Sequence, residues 1–215
     1  MCNKFAKYIL SIRMIYIYGD SHANFCFKNL NLDHKNYFSP SITMFRIGRD
    51  DSIINFNKDE IQENDVIILV YGEVDCRCHV QRQINSGENE DDIINELTNK
   101  YFQTIKNNIS DKKLKIIIVG IIPPTEKCDY ESIHGPVIHE FPFMGSDEDR
   151  VRYTNKVNKN LEEHAINNKY IYFNPHSYYT RKNGTLKFEL SDLMVHLGDN
   201  LHFLEKFEEL YKSFS

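Results

Sequence analysis

The chain is 215 residues long, 41% hydrophobic, 13% aromatic and 27% charged, with a formal charge of −5. Those proportions are those of a soluble globular protein and exclude a disordered chain, a collagen-like repeat and a disulfide miniprotein. The length fits a single domain over 1–215, and the acidic balance argues against nucleic acid, whose phosphates need a concentrated positive field.

Residues 1–18 carry Lys4, Lys7 and Arg13 among short apolar runs, so no signal-peptide core is expected there. No window approaches the roughly 18 apolar residues of a membrane span. Five cysteines, odd in number and irregular in spacing, make a poor disulfide framework and predict a reducing, cytoplasmic setting.

The first predicted strand is 13–18 (RMIYIY), cut by Gly19-Asp20-Ser21, and a weaker second is 41–47 (SITMFRI), stopped by Gly48. The run 65–71 (DVIILVY) ends at Gly72. A helix follows over 90–109, with Ile93, Ile94, Leu97, Tyr101, Ile105 and Ile109 on one face. A fourth strand, 114–122, ends at Pro123-Pro124, and 128–148 reads as a long surface loop. Then come a helix over 149–166, a short strand 170–173, and a helix over 200–214 with Asp199 as its N-cap. Short β-branched runs bounded by Gly and Pro read as strands buried on both faces, and their alternation with helices predicts a three-layer α/β/α fold with a mainly parallel sheet of about five strands.

In such a sheet ligands bind outside the carboxyl ends of the strands. The residues just past the predicted strands are Gly19-Asp20-Ser21-His22, Gly48-Arg49-Asp50 and Gly72-Glu73-Val74-Asp75-Cys76-Arg77-Cys78-His79, and Ser191-Asp192 to His196 precedes the last helix. One edge therefore collects a serine, backbone amides beside glycines, an arginine and an Asp/His pair, the inventory of nucleophilic acyl transfer. Gly-Asp-Ser alone is also ordinary turn chemistry. The joint placement at strand ends carries the reading.

These blocks resemble the SGNH, or GDSL-type, hydrolases over almost the whole chain. The resemblance implies a flavodoxin-like fold, Ser21 as nucleophile, and the backbone amides of Ser21 and Gly48 as oxyanion donors. It also implies a third block at Gly72 to Asp75 and a closing Asp/His pair before the last helix. Gly-Glu-Val-Asp-Cys-Arg-Cys-His looks like a subgroup associated with complex-glycan modification. The third block departs from the family's Gly-x-Asn-Asp, because Val74 stands where an asparagine amide would meet the oxyanion. Losing such a donor costs about 10²–10³ in rate unless another replaces it. Arg77 has the donors to do so; it can equally pair with Glu73 or Asp75 and brace the loop.

Two Asp/His pairs compete for the base. Asp199 and His202 have the family's Asp-x-x-His spacing, whereas Asp192 and His196 are four apart. The apolar stripe of the last helix leaves His202 on its polar face, so His196 with Asp192 is the expected pair. Cys76-Arg77-Cys78-His79 lacks the second ligand pair of a structural zinc site. His134, His139 and Glu140 fall in the irregular loop, as substrate contacts or as nothing. Tyr170, Tyr172, Phe173, Tyr178 and Tyr179 read as packing, with exposed members able to stack on sugar rings. No nucleotide-phosphate cradle is present and no cofactor or metal is implied. The expected function is ester hydrolysis or acyl transfer on a small-molecule or glycan ester; a silent glycan-binding module and a scaffold with a vestigial pocket are the rivals.

Overall fold

A computed structural model describes residues 13–40, 42–51, 54, 60–109, 113–137 and 141–214. Five parallel strands, β1 (Ile15–Gly19), β2 (His34–Phe38), β3 (Val66–Val70), β4 (Lys115–Val119) and β5 (Ile171–Phe173), lie in the order β2-β1-β3-β4-β5. β1 and β3 are buried along their whole length, which is why their sequences are unbroken apolar runs rather than alternating ones. Among the described residues the α-helices are α1 (Ser21–Cys26), α2 (Met44–Asp50), α3 (Val80–Asn85), α4 (Glu90–Asn108), α5 (Lys127–His134), α6 (Asp147–Asn167) and α7 (Leu201–Lys212).

The central strands β1, β3 and β4 divide their side chains between two cores. Tyr16, Tyr18, Ile67, Leu69, Ile116 and Ile118 face α2, α4 and α6 through Met44, Ile47, Leu97, Tyr101, Tyr153 and Val157. Ile15, Ile17, Ile68, Ile117 and Val119 face α1 and α7 through Ala23, Cys26, Phe203 and Phe207. The result is the α/β/α sandwich expected from the sequence. The strand order reverses direction between β1 and β3, and open sheets of this kind place ligands at that crevice.

Three expectations are corrected. The second strand is His34–Phe38, not 41–47. It is an edge strand whose HKNYF sequence is mostly solvent-facing, so no apolar run marks it. Residues Met44–Asp50 form α2 instead: Thr43 caps it, and Met44 and Ile47, three apart, are its buried positions. The stretch 128–148 is not a continuous loop, since most of α5 lies in it and α6 starts at Asp147. A capping box, Ser146 with Asp149, sets that start two residues earlier than the periodicity suggested. Among the described residues no helix is long and apolar enough to cross a membrane. Cys2, His139 and Glu140 lie outside the described residues, as does most of the N-terminal stretch.

Candidate active site

The Gly19-Asp20-Ser21 turn is built where β1 meets α1. Gly19 ends the strand, and a side chain there would collide with the Cβ of Ala23 at 2.4 Å and the carbonyl of Val70 at 2.7 Å. Only glycine lets α1 fold back so tightly. Asp20 then caps α1, its Oδ1 accepting from the His22 amide at 2.8 Å, so its carboxylate turns into the protein while Ser21 stays at the surface edge.

Ser21 Oγ lies 2.9 Å from His196 Nε2, and His196 Nδ1 lies 2.7 Å from Asp192 Oδ2. With Nδ1–H donating to the carboxylate, Nε2 is the lone-pair nitrogen and Oγ–H donates to it. The His196 ring lies parallel to Phe25 at 4.1 Å, which fixes its second face. Burial, with the nearby His22 charge adding to it, holds the His196 pKa below the ordinary histidine value against the pull of Asp192. Burial also works against the Asp192 charge, but the hydrogen bond from the His196 ring, with those from the His196 and Met194 amides, holds its carboxyl below the usual range. A neutral imidazole, an ionised carboxylate and a hydroxyl linked at hydrogen-bond distance form an arrangement able to activate a serine.

The loop carrying His196 is folded on itself. Asp192 Oδ1 accepts the amides of Met194 and His196 at 2.9 and 3.0 Å, and Asp192 donates its own amide to the His196 carbonyl. Ser191 bridges to Leu197 across the loop's neck, and Leu193 takes a left-handed φ of 64° to make the bend. Val195 packs with Tyr130 and Phe143, and His134 donates from Nε2 to the Leu193 carbonyl at 2.8 Å. His134 thus supports the His196 loop.

The third block forms the floor. Gly72 has φ +117°, and a Cβ there would meet Ile121 at 2.6 Å. Asp75 is wholly buried and accepts the amides of Met44 and Phe45, capping α2 from a distance; burial pushes its pKa up to about 7. Glu73 is buried and ion-paired to Arg77, Oε1 to Nε at 2.8 Å. Burial works against the Glu73 charge, yet Arg77 and His22 hold its carboxyl below the usual value. Arg77 also donates to the Phe141 carbonyl and lies over the Phe143 ring. Of the two roles open to Arg77, the contacts are those of the brace. Val74 is buried, and Cys76 and Cys78 are buried thiols whose pKa values burial raises.

Gly48 is not past a strand end. It is the fifth residue of α2, backed against Lys100 of α4, so its amide is committed to the helix and is no oxyanion donor. Asp199 accepts the Leu201 amide at the start of α7, and His202 stacks on Tyr178 at 4.1 Å. Phe25 and His22 carry no role in the sequence reading. The histidine of Gly-Asp-Ser-His was the available signal, but nothing in a local pattern tells which wall a turn residue faces. Among the described residues the only trio of close metal-ligand types is Glu126, Cys128 and Asp129, whose two carboxylates are held by Arg181.

No family model and no curated protein matches the sequence. Solved structures do match. The chain is similar to a protein described as a platelet activating factor from Streptococcus pneumonia, with a TM-score of 0.63 and 14% identity over 94% of this chain and 86% of that one. It is similar to the native aryl esterase of M. smegmatis, with a TM-score of 0.58 and 12% identity over 94% and 100%. A GDSL-like lipase from Bacteroides thetaiotaomicron gives a TM-score of 0.54 and 14% identity over 94% and 86%.

Proposed function

From a chain that has the fold of the SGNH, or GDSL-type, hydrolases, we propose a serine esterase or acyltransferase that works through an acyl-enzyme on Ser21. The observation that carries this reading is the Ser21–His196–Asp192 relay, with contacts of 2.9 and 2.7 Å at the carboxyl edge of the sheet. Ser21 Oγ attacks the acyl carbonyl while its proton passes to His196 Nε2. The tetrahedral intermediate then collapses, breaking the bond to the alcohol, and that oxygen takes the proton back from Nε2–H. Water, or a second alcohol, repeats the sequence on the acyl-enzyme with His196 again as base. Asp192 holds the tautomer throughout. In this mechanism the Ser21 amide, in the first turn of α1, serves as an oxyanion donor.

The carbohydrate part of the proposal rests on the resemblance of the third block. Glu73, Asp75, Cys76, Arg77 and Cys78 are buried, so they shape the floor under a substrate rather than touch a sugar. A fluorophosphonate should label Ser21, short aryl esters should be hydrolysed, and Ser21→Ala should abolish both. Comparing acetylated sugars with aryl esters tests the substrate class. One observation favours a second reading, a silent module on the same fold: Val74 offers no side-chain donor. A folded protein that resists labelling would favour that reading and remove the esterase.

A further inference from the structure

His22 is buried directly beneath the relay, and both of its ring nitrogens face oxygen acceptors. Nδ1 is 3.0 Å from Asp20 Oδ1, and Nε2 is 3.1 Å from the carbonyl of Val195, the residue before His196. A neutral imidazole has one N–H and one lone pair, so either tautomer would set a lone pair against an oxygen. With Asp20 ionised, only the imidazolium satisfies both contacts. The chain supplies compensating charge: besides Asp20, Glu73 Oε2 lies 3.9 Å from Nε2, and Glu73 is itself paired to Arg77. Asp20, His22, Glu73 and Arg77 therefore make an alternating buried row, negative, positive, negative, positive.

Resting on the esterase reading for its purpose, we propose that His22 is a constitutively protonated positioning residue that latches the base loop to the nucleophile turn and sets the basicity of His196. The latch is one ring spanning two elements far apart in sequence. One nitrogen holds Asp20, beside the serine, and the other holds Val195, beside the base. The charge acts on His196, whose ring centre is 4.6 Å from that of His22. A second cation at that distance opposes protonation of His196, so once protonated it gives its proton more readily to the departing alcohol. The remaining groups around the pair either oppose this or are neutral. Asp192, from the base's own loop, and Glu73, from the segment after β3, favour the charged form of His196. Ser21 and Phe25 are uncharged. Tyr71, at the end of β3, lines the same buried space as His22 and keeps its proton. His176, from the turn after β5, is neutral, with burial lowering its pKa to about 4 and its Nε2 donating to the Gly120 carbonyl. Burial alone would discharge His22 too, yet Asp20 and Glu73 raise its pKa to about 9. Two buried histidines thus end in opposite charge states because one meets two acceptors and a carboxylate pair while the other meets one carbonyl.

The test is a histidine titration by ring-nitrogen NMR on the full chain, with His22→Gln and His22→Leu beside it. In the wild type, His22 should show both nitrogens protonated through neutral pH while His196 does not. Gln retains an amide donor toward Val195 without the charge, so the His196 midpoint should rise by roughly one pH unit, carrying the acid limb of kcat/KM with it. Leu removes the latch as well, and the rate of fluorophosphonate labelling should fall further than in Gln at matched Tm. A wild-type His22 that loses a proton near the ordinary histidine pH overturns the proposal, and so does an unmoved His196 midpoint in the Gln variant. The wild-type spectrum needs neither a folded variant nor turnover, so it decides the charge of His22 even if no ester is ever cleaved. Absent labelling in the wild type would remove the esterase reading instead.

Discussion

Two Asp/His pairs lie within residues 192–202, and the fold treats them oppositely. Asp192 and His196 sit in a loop that the aspartate closes by accepting two of its own amides, leaving Oδ2 for the imidazole and aiming Nε2 at Ser21. Asp199 and His202 sit at the start of a helix whose buried stripe, Phe203, Leu204 and Phe207, packs against Phe27 and Phe173. That packing sets the rotation of α7, and rotation turns His202 onto Tyr178. A helix places its side chains by the face it must bury; a tight loop places them by its internal hydrogen bonds. Residue spacing alone does not distinguish the two.

The largest effect should come from removing the base on the loop side. His196→Ala should lower kcat by about 10⁴–10⁶, matching Ser21→Ala, as expected for groups that act as a unit. Next comes its orienter: Asp192→Asn leaves the size of the side chain but can stabilise the wrong tautomer, and a loss of about 10⁴ in kcat is expected. Single-turnover kinetics on an aryl ester measures both. A small loss for Asp192→Asn would mean that loop geometry, rather than the carboxylate charge, orients the ring.

A smaller effect should separate the floor from the relay. Arg77→Ala takes from buried Glu73 its hydrogen-bonded ion-pair partner and leaves only His22, 3.9 Å away, a defect that costs up to about 3–5 kcal/mol. Urea melts should show that loss while kcat/KM per folded molecule is largely kept. The opposite outcome, full stability with a rate lower by two orders of magnitude, would return Arg77 to the oxyanion.

The pH dependence should be gentler still. His196 must be neutral to accept a proton, and burial lowers its pKa, so the acid limb of kcat/KM should lie below the ordinary histidine value of 6.5. For stability the sign at His22 is the reverse. Its folded pKa of about 9 exceeds the unfolded 6.5, so its contribution is complete below 6.5, declines between 6.5 and 9, and is gone above. Wild-type Tm should therefore fall over that interval relative to His22→Gln. At the small end, His202→Ala and Asp199→Asn should change kcat/KM by no more than about twofold, as surface substitutions usually do. A large loss in either would reverse the comparison and give the base to the Asp-x-x-His pair.

Much of this was written locally. The buried parallel strands are legible because burial on both faces needs unbroken apolar runs, and α4, α6 and α7 because their stripes recur at helical spacing. The Gly-Asp-Ser turn is legible because its glycine and its cap are steric and hydrogen-bonding demands of three consecutive residues. Edge strand β2 was hidden, since an exposed edge leaves no apolar signature, and its loss displaced Gly48 from a helix to a strand end. The geometry of Ser21 with His196 and the double contact of His22 are decided only when chain segments as far as 175 residues apart meet. Arg77 lies four residues from Glu73, and the choice of that brace is fixed by the Phe141 carbonyl, 64 residues on. Local propensity chooses an element and the face it buries. The partner a polar side chain finds depends on what the fold brings within about 3 Å of it, and no spacing along the chain encodes that distance.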